Sequence, residues 1–285
     1  MTESGEVRPE ILWHYTTQAA LVGILDSKAF YASDVRFMND HMELKYAIGL
    51  LPEVLDSIPE FAGFMTNSDG GVRAIAMLRQ WLDEPEFNRG TYAVSVSEER
   101  DSLSQWRAYS GDATGYALGF DKARLTARMQ NAAWPVALAQ CEYGREQQLA
   151  RLRNAMLDLL SAGHWQRYLD RGQKIGPGFP SNFQRCFMKA APWLKDPAFS
   201  SEKEWRIASV SSHFGQQTTF GVREGREFLV PYLYLPLTDL GLCEVLVGPN
   251  SHPDNAQTAA QLLLAHHGVS SHVKVTRSAI PYRRV

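Results

Sequence analysis

The sequence predicts an α+β fold in one large domain. The chain has 285 residues, 45% of them hydrophobic and 11% aromatic, which is enough to bury a large core. Strand-like segments occur at irregular intervals, some separated by helical patterns and others only by turns. Because this mixture differs from a regular alternation of strands and helices, it favours α+β. We expect a single domain over residues 1–285, with a helical insertion at 57–90 and a long helical segment at 144–193.

The first segments place a histidine near the end of a strand. Residues 11–15 have a strand pattern that includes His14, and Thr16 or Thr17 is expected to cap the helix that follows. Residues 30–33 form a second predicted strand. A helix should then begin after a cap at Asn39 or Asp40.

The middle of the chain contains a strand with alternating hydroxyl side chains. Residues 91–97 alternate, so Ser95 and Ser97 should share a face with Ala93. Residues 101–109 form a short predicted helix with Trp106 and Tyr109 on one side. A strand at 115–121 follows, with Asp121 as the cap of the next helix.

The second half is expected to alternate between long helical and short extended segments. A helix at 144–171 and a helix capped by Ser251 are predicted. The proline within 228–236 suggests an edge or bulged strand. The further strands are predicted at 136–143, 200–210, 218–222, 228–235, 243–247 and around 272–276.

The segment 200–210 has the most distinctive charge pattern. If it is one strand, Glu202, Glu204 and Arg206 project from one face and Trp205 and Ile207 from the other. Such a set is either a solvated ion pair, contributing about 0 to 1 kcal/mol to stability, or part of a site. Its neighbours in the fold decide between the two.

Overall charge, cysteine content and missing motifs restrict the function classes. A formal net charge of -2 gives no field that would attract a polyanion or an anionic membrane, although a local nucleic-acid patch stays open. No Walker, Rossmann, HExxH or GxSxG motif occurs, and no structural metal site is expected. Free thiols without CxxC spacing and the lack of a long apolar segment or leader predict a cytoplasmic protein without a membrane partner.

Three short segments resemble, in their order, the three motifs of the ADP-ribosyltransferase superfamily. They are His14-Tyr15-Thr16, Ser95-Val96-Ser97 and Glu202-Lys203-Glu204. Most of the chain also resembles a widespread, mostly bacterial family of unknown function. That second resemblance is carried by Tyr15-Thr16, Asn39-Asp40 with Glu43, Ser95 to Glu98, Trp106 with Tyr109, Gly115 to Asp121, and Glu202 to Arg206.

The superfamily resemblance implies a split β-sheet core with helical insertions and NAD as substrate. Breaking the nicotinamide–ribose bond develops positive charge on the ribose, which a carboxylate stabilises. Glu204 would take that role and hold the 2′-hydroxyl. Glu202 would orient or deprotonate the attacking group.

The other motif residues would bind the cofactor. The expected roles are His14 on the ribose, Tyr15 and Thr16 beside it, Ser95 or Ser97 bracing Glu204, Trp106 or Tyr109 stacking on nicotinamide, and Arg206 on the diphosphate or on Glu204.

The resemblance therefore predicts a mono-ADP-ribosyltransferase that modifies a macromolecular acceptor, either protein or nucleic acid, as a bacterial toxin or an anti-phage defence effector. Three alternatives stay open. The chain could be an NAD glycohydrolase, a nuclease binding Mg²⁺ through Asp40, Glu43, Glu202, Glu204 and a histidine, or a non-catalytic binding or scaffold domain.

Overall fold

The structure is a computed structural model. It describes residues 10–38, 42–61, 76, 78–80, 91–111, 114–130, 132, 136–161, 179–209, 220–225, 227–236 and 241–281. The expected caps Asn39 and Asp40, most of the expected insertion at 57–90, and the end of the predicted helix at 144–171 lie outside these residues.

The fold is α+β, with a large and mostly antiparallel sheet. Its strands are β1 Ile11–Thr16, β2 Ala29–Asp34, β3 Tyr92–Ser97, β4 Tyr116–Asp121, β5 Val136–Gln140, β6 Glu204–Ser209, β7 Phe220–Glu224, β8 Leu229–Pro236, β9 Leu242–Val247 and β10 Lys274–Arg277. The pairs between these described strands are antiparallel except β9 with β10.

Helices pack on both faces of this sheet. They are α1 Gln18–Ser27, α2 Met42–Asp56, α3 Leu103–Tyr109, α4 Lys122–Gln130, α5 Arg145–Ser161, α6 Phe179–Met188 and α7 Pro253–His266. Short 3-10 helices occur at Val35–Phe37, Ala191–Trp193 and Pro197–Glu202. No helix in the described part of the chain is both long enough and apolar enough to cross a membrane.

The sheet is split at the central strand β3, because β1 and β2 share the edge of β3 that lies opposite β6. On one edge, β6 pairs with β3 from Ala93 to Ser97. On the other edge, β1 pairs only at Ser97, through Trp13, and β2 pairs only at the opposite end, from Ala93. The registers of β1 and β2 therefore leave residues 94–96 of β3 without a strand partner on that edge.

Register assigns the motif residues to the two sides of the sheet. Trp13 and Glu204 are the register partners of Ser97 on its two edges, so all three project from one face together with Ser95 and Arg206. We call this side the glutamate face. His14, the next residue after Trp13, alternates to the opposite side, and its ring lies at the gap between β1 and β2.

Two hydrophobic clusters flank the charged part of the glutamate face. Helices α2, α5 and α6 cover the end of β3 and β6 that carries Ala93 and Ala208. Trp106 of α3 packs with Trp13 and Tyr15 at the other end. Helices α1, α4 and α7 cover the opposite side of the sheet. The ionisable side chains of β6 thus lie on the glutamate face, between these two hydrophobic clusters.

Several helix and strand boundaries confirm the sequence patterns. Thr17 caps α1 by accepting a hydrogen bond from the Ala20 amide, and Asp121 accepts one from the Arg124 amide at the start of α4. Gly115 is required by close packing, since a Cβ there would lie 2.1 Å from the Thr16 carbonyl oxygen.

Three local predictions were wrong. The segment 200–210 is not one strand, because Lys203 has a left-handed backbone with φ of 43° and β6 begins only at Glu204. The proline-containing β8 is neither an edge strand nor bulged, since it lies between β2 and β7 and pairs with both in an unbroken register. His252, and not Ser251, is the N-cap of α7.

Candidate active site

A buried ion-pair network surrounds Glu204, the first residue of β6. Arg206 Nε donates to Glu204 Oε1 at 2.7 Å, and Arg206 Nη2 donates to Oε2 at 3.0 Å. Lys195 Nζ donates to the same Oε2 at 2.5 Å. The three side chains are almost fully buried, with 3 to 4% of each residue exposed. A carboxylate held by a bidentate arginine and an ammonium has a fixed orientation.

Lys195 links the two glutamates of the Glu-x-Glu motif. Its ammonium group also donates to Glu202 Oε2, at 2.6 Å. Glu202 ends a 3-10 helix and is less buried than Glu204. The two glutamates therefore approach one cation, although Glu202 precedes the strand and does not follow its alternation. Two carboxylates and two cations make this group formally neutral.

The backbone around Lys195 is held by residues from three other elements. Gln148 of α5 donates to the carbonyl oxygens of Glu142 and Lys195, both at 2.7 Å, and accepts from Tyr46 of α2. Arg206 Nη1 donates to the carbonyl of Pro192 at 2.8 Å. The buried charges are thus anchored to the helical layer, which fixes the distance between Lys195 and β6.

Charge outweighs desolvation at Glu204. Burial opposes ionisation of its carboxyl, but the charges and hydrogen bonds of Arg206 and Lys195 prevail and lower the pKa of Glu204 to about 2. Burial and the charge of Glu202 raise the pKa of Tyr109, whose hydroxyl is therefore neutral. The network keeps an ionised carboxylate next to a neutral phenol at physiological pH.

This pKa predicts a pH-dependent contribution to stability. A carboxyl whose pKa is lowered on folding stabilises the protein above its unfolded pKa, and that contribution falls as the pH drops from about 4.5 towards 2. We expect the difference in unfolding free energy between wild type and Glu204→Gln, measured with urea at pH 7, 5, 4 and 3, to shrink below pH 4.5. Glu53→Gln, which removes an exposed pair with Arg145, is the control. If the difference in unfolding free energy between wild type and Glu204→Gln stays constant down to pH 3, the lowered pKa of Glu204 is contradicted.

His14 lies at the split between β1 and β2. Its Nδ1 is 2.9 Å from the carbonyl oxygen of Ser95, on the stretch of β3 that lacks a strand partner on that edge. The ring also makes an edge contact with Phe30 of β2, at 5.3 Å between centroids. Burial lowers the pKa of His14, and the nearby positive charge of Arg223 lowers it further against the effect of the Ser95 carbonyl. The imidazole is consequently neutral. Its contact with the Ser95 carbonyl oxygen replaces the backbone hydrogen bond that a neighbouring strand would make there.

The two serines of β3 differ in accessibility. Ser97 is buried and bonded, donating to the Glu202 carbonyl at 2.6 Å and accepting from the Glu99 amide. It braces the motif through the backbone of Glu202 and not through the Glu204 carboxylate. Ser95 is half-buried although it lies on the central strand. The glutamate face is therefore partly open to solvent at Ser95.

The remaining expected cofactor residues belong mainly to the core. Trp106 is fully buried and donates its indole N–H to Asp101. Tyr15 packs edge-on against Trp106 and donates its hydroxyl to the Glu99 carbonyl, and Thr16 is buried at the end of β1. Tyr109 is half-buried and close to the charged network. Of the two aromatic candidates for a wall, Tyr109 has the accessible position.

Sequence reasoning missed Lys195 and Gln148. Lys195 lies nine residues before Glu204, outside any periodic pattern. In the sequence, Gln148 is not distinguishable from the other polar residues of its predicted helix. Their roles depend on tertiary contacts that no local pattern encodes. Arg206, which the sequence did single out, orients Glu204.

The described residues contain no group of three or more His, Cys, Asp or Glu side chains placed to hold a metal ion. Asp40, one of the acids of the Mg²⁺ hypothesis, lies outside them. The two motif glutamates that are described bind Lys195 instead.

Comparison with known proteins identifies one related family. Residues 105–207 match the family described as Protein of unknown function (DUF2971). The matched segment includes Trp106, Tyr109 and the whole of Glu202 to Arg206, so the expected resemblance to a family of unknown function is confirmed over this part. Neither the curated proteins nor the solved structures gave a match.

Proposed function

We propose that the chain is an ADP-ribosyltransferase that uses NAD as donor and modifies a macromolecular acceptor. The observation that carries the proposal is the placement of the three motifs on adjoining strands. The strand with His14 and the strand that begins at Glu204 both pair with β3, which carries Ser95 and Ser97. Segments far apart in sequence thus converge on one strand, with Ser97 and Glu204 on the glutamate face and His14 at the split on the other side.

The ionised Glu204 is suited to the chemistry of this reaction. As the nicotinamide–ribose bond breaks, the ribose becomes cationic, and a fixed carboxylate stabilises it without reorganisation. Arg206 fixes the carboxylate through Oε1. In this proposal the substrate's 2′-hydroxyl replaces Lys195 at Glu204 Oε2, while Lys195 keeps its contact with Glu202. Glu202 then faces the acceptor and takes its proton.

A second candidate is a non-catalytic binding domain, favoured by the closed state of the network. Both oxygens of Glu204 are hydrogen-bonded to cations, and the side chain is only 6% exposed. The same ion pairs could serve solely to hold β6 against the helices. NAD cleavage separates the two candidates, since only the first requires it.

Incubation with labelled NAD and cell lysate tests the proposed transfer. A transferase leaves labelled ADP-ribose on protein or nucleic acid, which protease and nuclease treatment then distinguish. An NAD glycohydrolase releases nicotinamide and leaves the label in solution. Neither label transfer nor nicotinamide release would contradict the enzyme proposal and favour the binding domain.

A further inference from the structure

Strands β2, β7 and β8, beside the split, carry polar and aromatic side chains that belong to none of the three sequence motifs. Tyr31 and Ser33 of β2 are register partners of Tyr234 and Tyr232 of β8. Ser33 also pairs with Ala93 of β3, so its side chain lies on the glutamate face across the split, and the Tyr31 hydroxyl donates to the Gly23 carbonyl oxygen of α1 at 3.0 Å. Arg223 of β7 reaches the same surface. We call these five residues, Tyr31, Ser33, Arg223, Tyr232 and Tyr234, the tyrosine face.

The tyrosine rings form one packed group. Tyr31 stacks on Tyr232 with centroids 4.6 Å apart and meets Tyr234 edge-on at 5.3 Å. The Tyr232 hydroxyl donates to that of Tyr234 at 3.0 Å. Tyr31 and Tyr234 remain half-buried, so part of each ring is accessible. Gly221 makes room for this packing, since a Cβ there would lie 2.5 Å from the Tyr232 ring.

Arg223 supplies positive charge beside these rings. Its Nη2 donates to Ser33 Oγ at 3.0 Å. Within the described ranges no carboxylate pairs with it, although Arg36, Arg206 and Arg277 each have such a partner. The residue is exposed as a whole, but burial of the guanidinium lowers the pKa of Arg223, and its charge acts on His14 at the split. A guanidinium that is fixed by a hydroxyl and has no carboxylate partner among the described residues is suited to a phosphate.

The separation between the tyrosine face and Glu204 suits a single bound dinucleotide. The path from β6 to β8 crosses β3 and β2, which is three strand spacings of about 4.8 Å, or roughly 14 Å. A dinucleotide has two nucleosides joined by a diphosphate, and it is long enough to bridge this path. Half-buried Ser95 lies along the way.

We propose that the tyrosine face binds the adenosine diphosphate half of NAD, with the diphosphate on Arg223 and adenine against Tyr31 and Tyr234. This inference rests on the proposed function for the identity of the dinucleotide. It places the two halves of the substrate on opposite sides of the split, with the scissile bond at Glu204.

Calorimetric titration with ADP-ribose tests this binding without requiring catalysis. We expect Arg223→Met to weaken ADP-ribose binding by about tenfold to a hundredfold, the effect of losing a hydrogen bond to a charged group. Tyr234→Leu should weaken it about tenfold through lost stacking. Arg277→Met is the matched control, because Arg277 lies on β10 at the opposite edge of the sheet. Thermal unfolding of each variant checks its folding.

The kinetics of NAD cleavage separate this inference from the proposed function. A raised KM with unchanged kcat in Arg223→Met supports both. Cleavage of NAD with wild-type KM in Arg223→Met, or absence of ADP-ribose binding to wild type, overturns the inference. Binding that depends on Arg223 in a protein that cleaves no NAD supports a nucleotide site on the tyrosine face and contradicts the transferase.

Discussion

Glu204→Gln is expected to lower nicotinamide release from NAD by at least about a hundredfold relative to wild type. Removing one preorganised electrostatic contact to a transition state commonly costs 10²- to 10³-fold in rate, and the amide cannot offset the charge of the ribose. Its shape is nearly that of glutamate, so the comparison isolates the charge. The measurement is the rate of nicotinamide release by each purified protein.

Glu202→Gln is the matched variant for this experiment. Both substitutions remove a carboxylate that contacts Lys195. In the proposed reaction only Glu204 faces the ribose, so Glu202→Gln should lose transfer to the acceptor while it keeps nicotinamide release. Equal loss of release in the two variants would contradict the division of roles. Circular dichroism and thermal unfolding establish whether Glu204→Gln is folded.

Lys195→Met is expected to lower the free energy of unfolding by about 3 to 5 kcal/mol. This is the usual cost of removing one partner from a buried ion pair, since the remaining charge stays desolvated. Lys195 is 3% exposed and contacts two carboxylates, so Glu202 and Glu204 both lose this cation, and Glu204 retains its ion pair with Arg206. Urea unfolding of wild type and variant at pH 7 gives the difference directly.

Lys189→Met provides the control for that loss. Lys189 pairs with Asp158 at the surface, where both side chains are more than a third exposed. Such pairs contribute about 0 to 1 kcal/mol. A loss in Lys195→Met no larger than that in Lys189→Met would mean that the network does not stabilise the fold.

Local patterns predicted the elements well and the contacts between them poorly. The alternation of residues 91–97 gave a strand with Ser95 and Ser97 on one face, as in β3. The face shared by Glu204 and Arg206 was also predicted, because alternation holds within β6. At Glu202 the prediction failed, since the left-handed backbone of Lys203 interrupts the strand.

The charged partners of the motif required the folded chain. Lys195 reaches Glu204 only because Gln148 and the 3-10 helices hold its segment against β6. The tyrosine face is similar, since Tyr31 and Tyr232 are 201 positions apart in sequence and meet through the pairing of β2 with β8. Their alternating spacing, Tyr31-x-Ser33 and Tyr232-x-Tyr234, was the available signal. Without the strand order it could not be connected to the motif glutamates.

The most direct test of the account is nicotinamide release from NAD by the wild-type protein in the presence of EDTA, with cell lysate as a source of acceptor. We expect release to proceed without divalent metal, because Glu204, oriented by Arg206, is the group proposed to act on the ribose. Absence of release, together with absence of NAD binding by calorimetry, would contradict the proposed function. Release that EDTA abolishes would contradict the metal-independent mechanism.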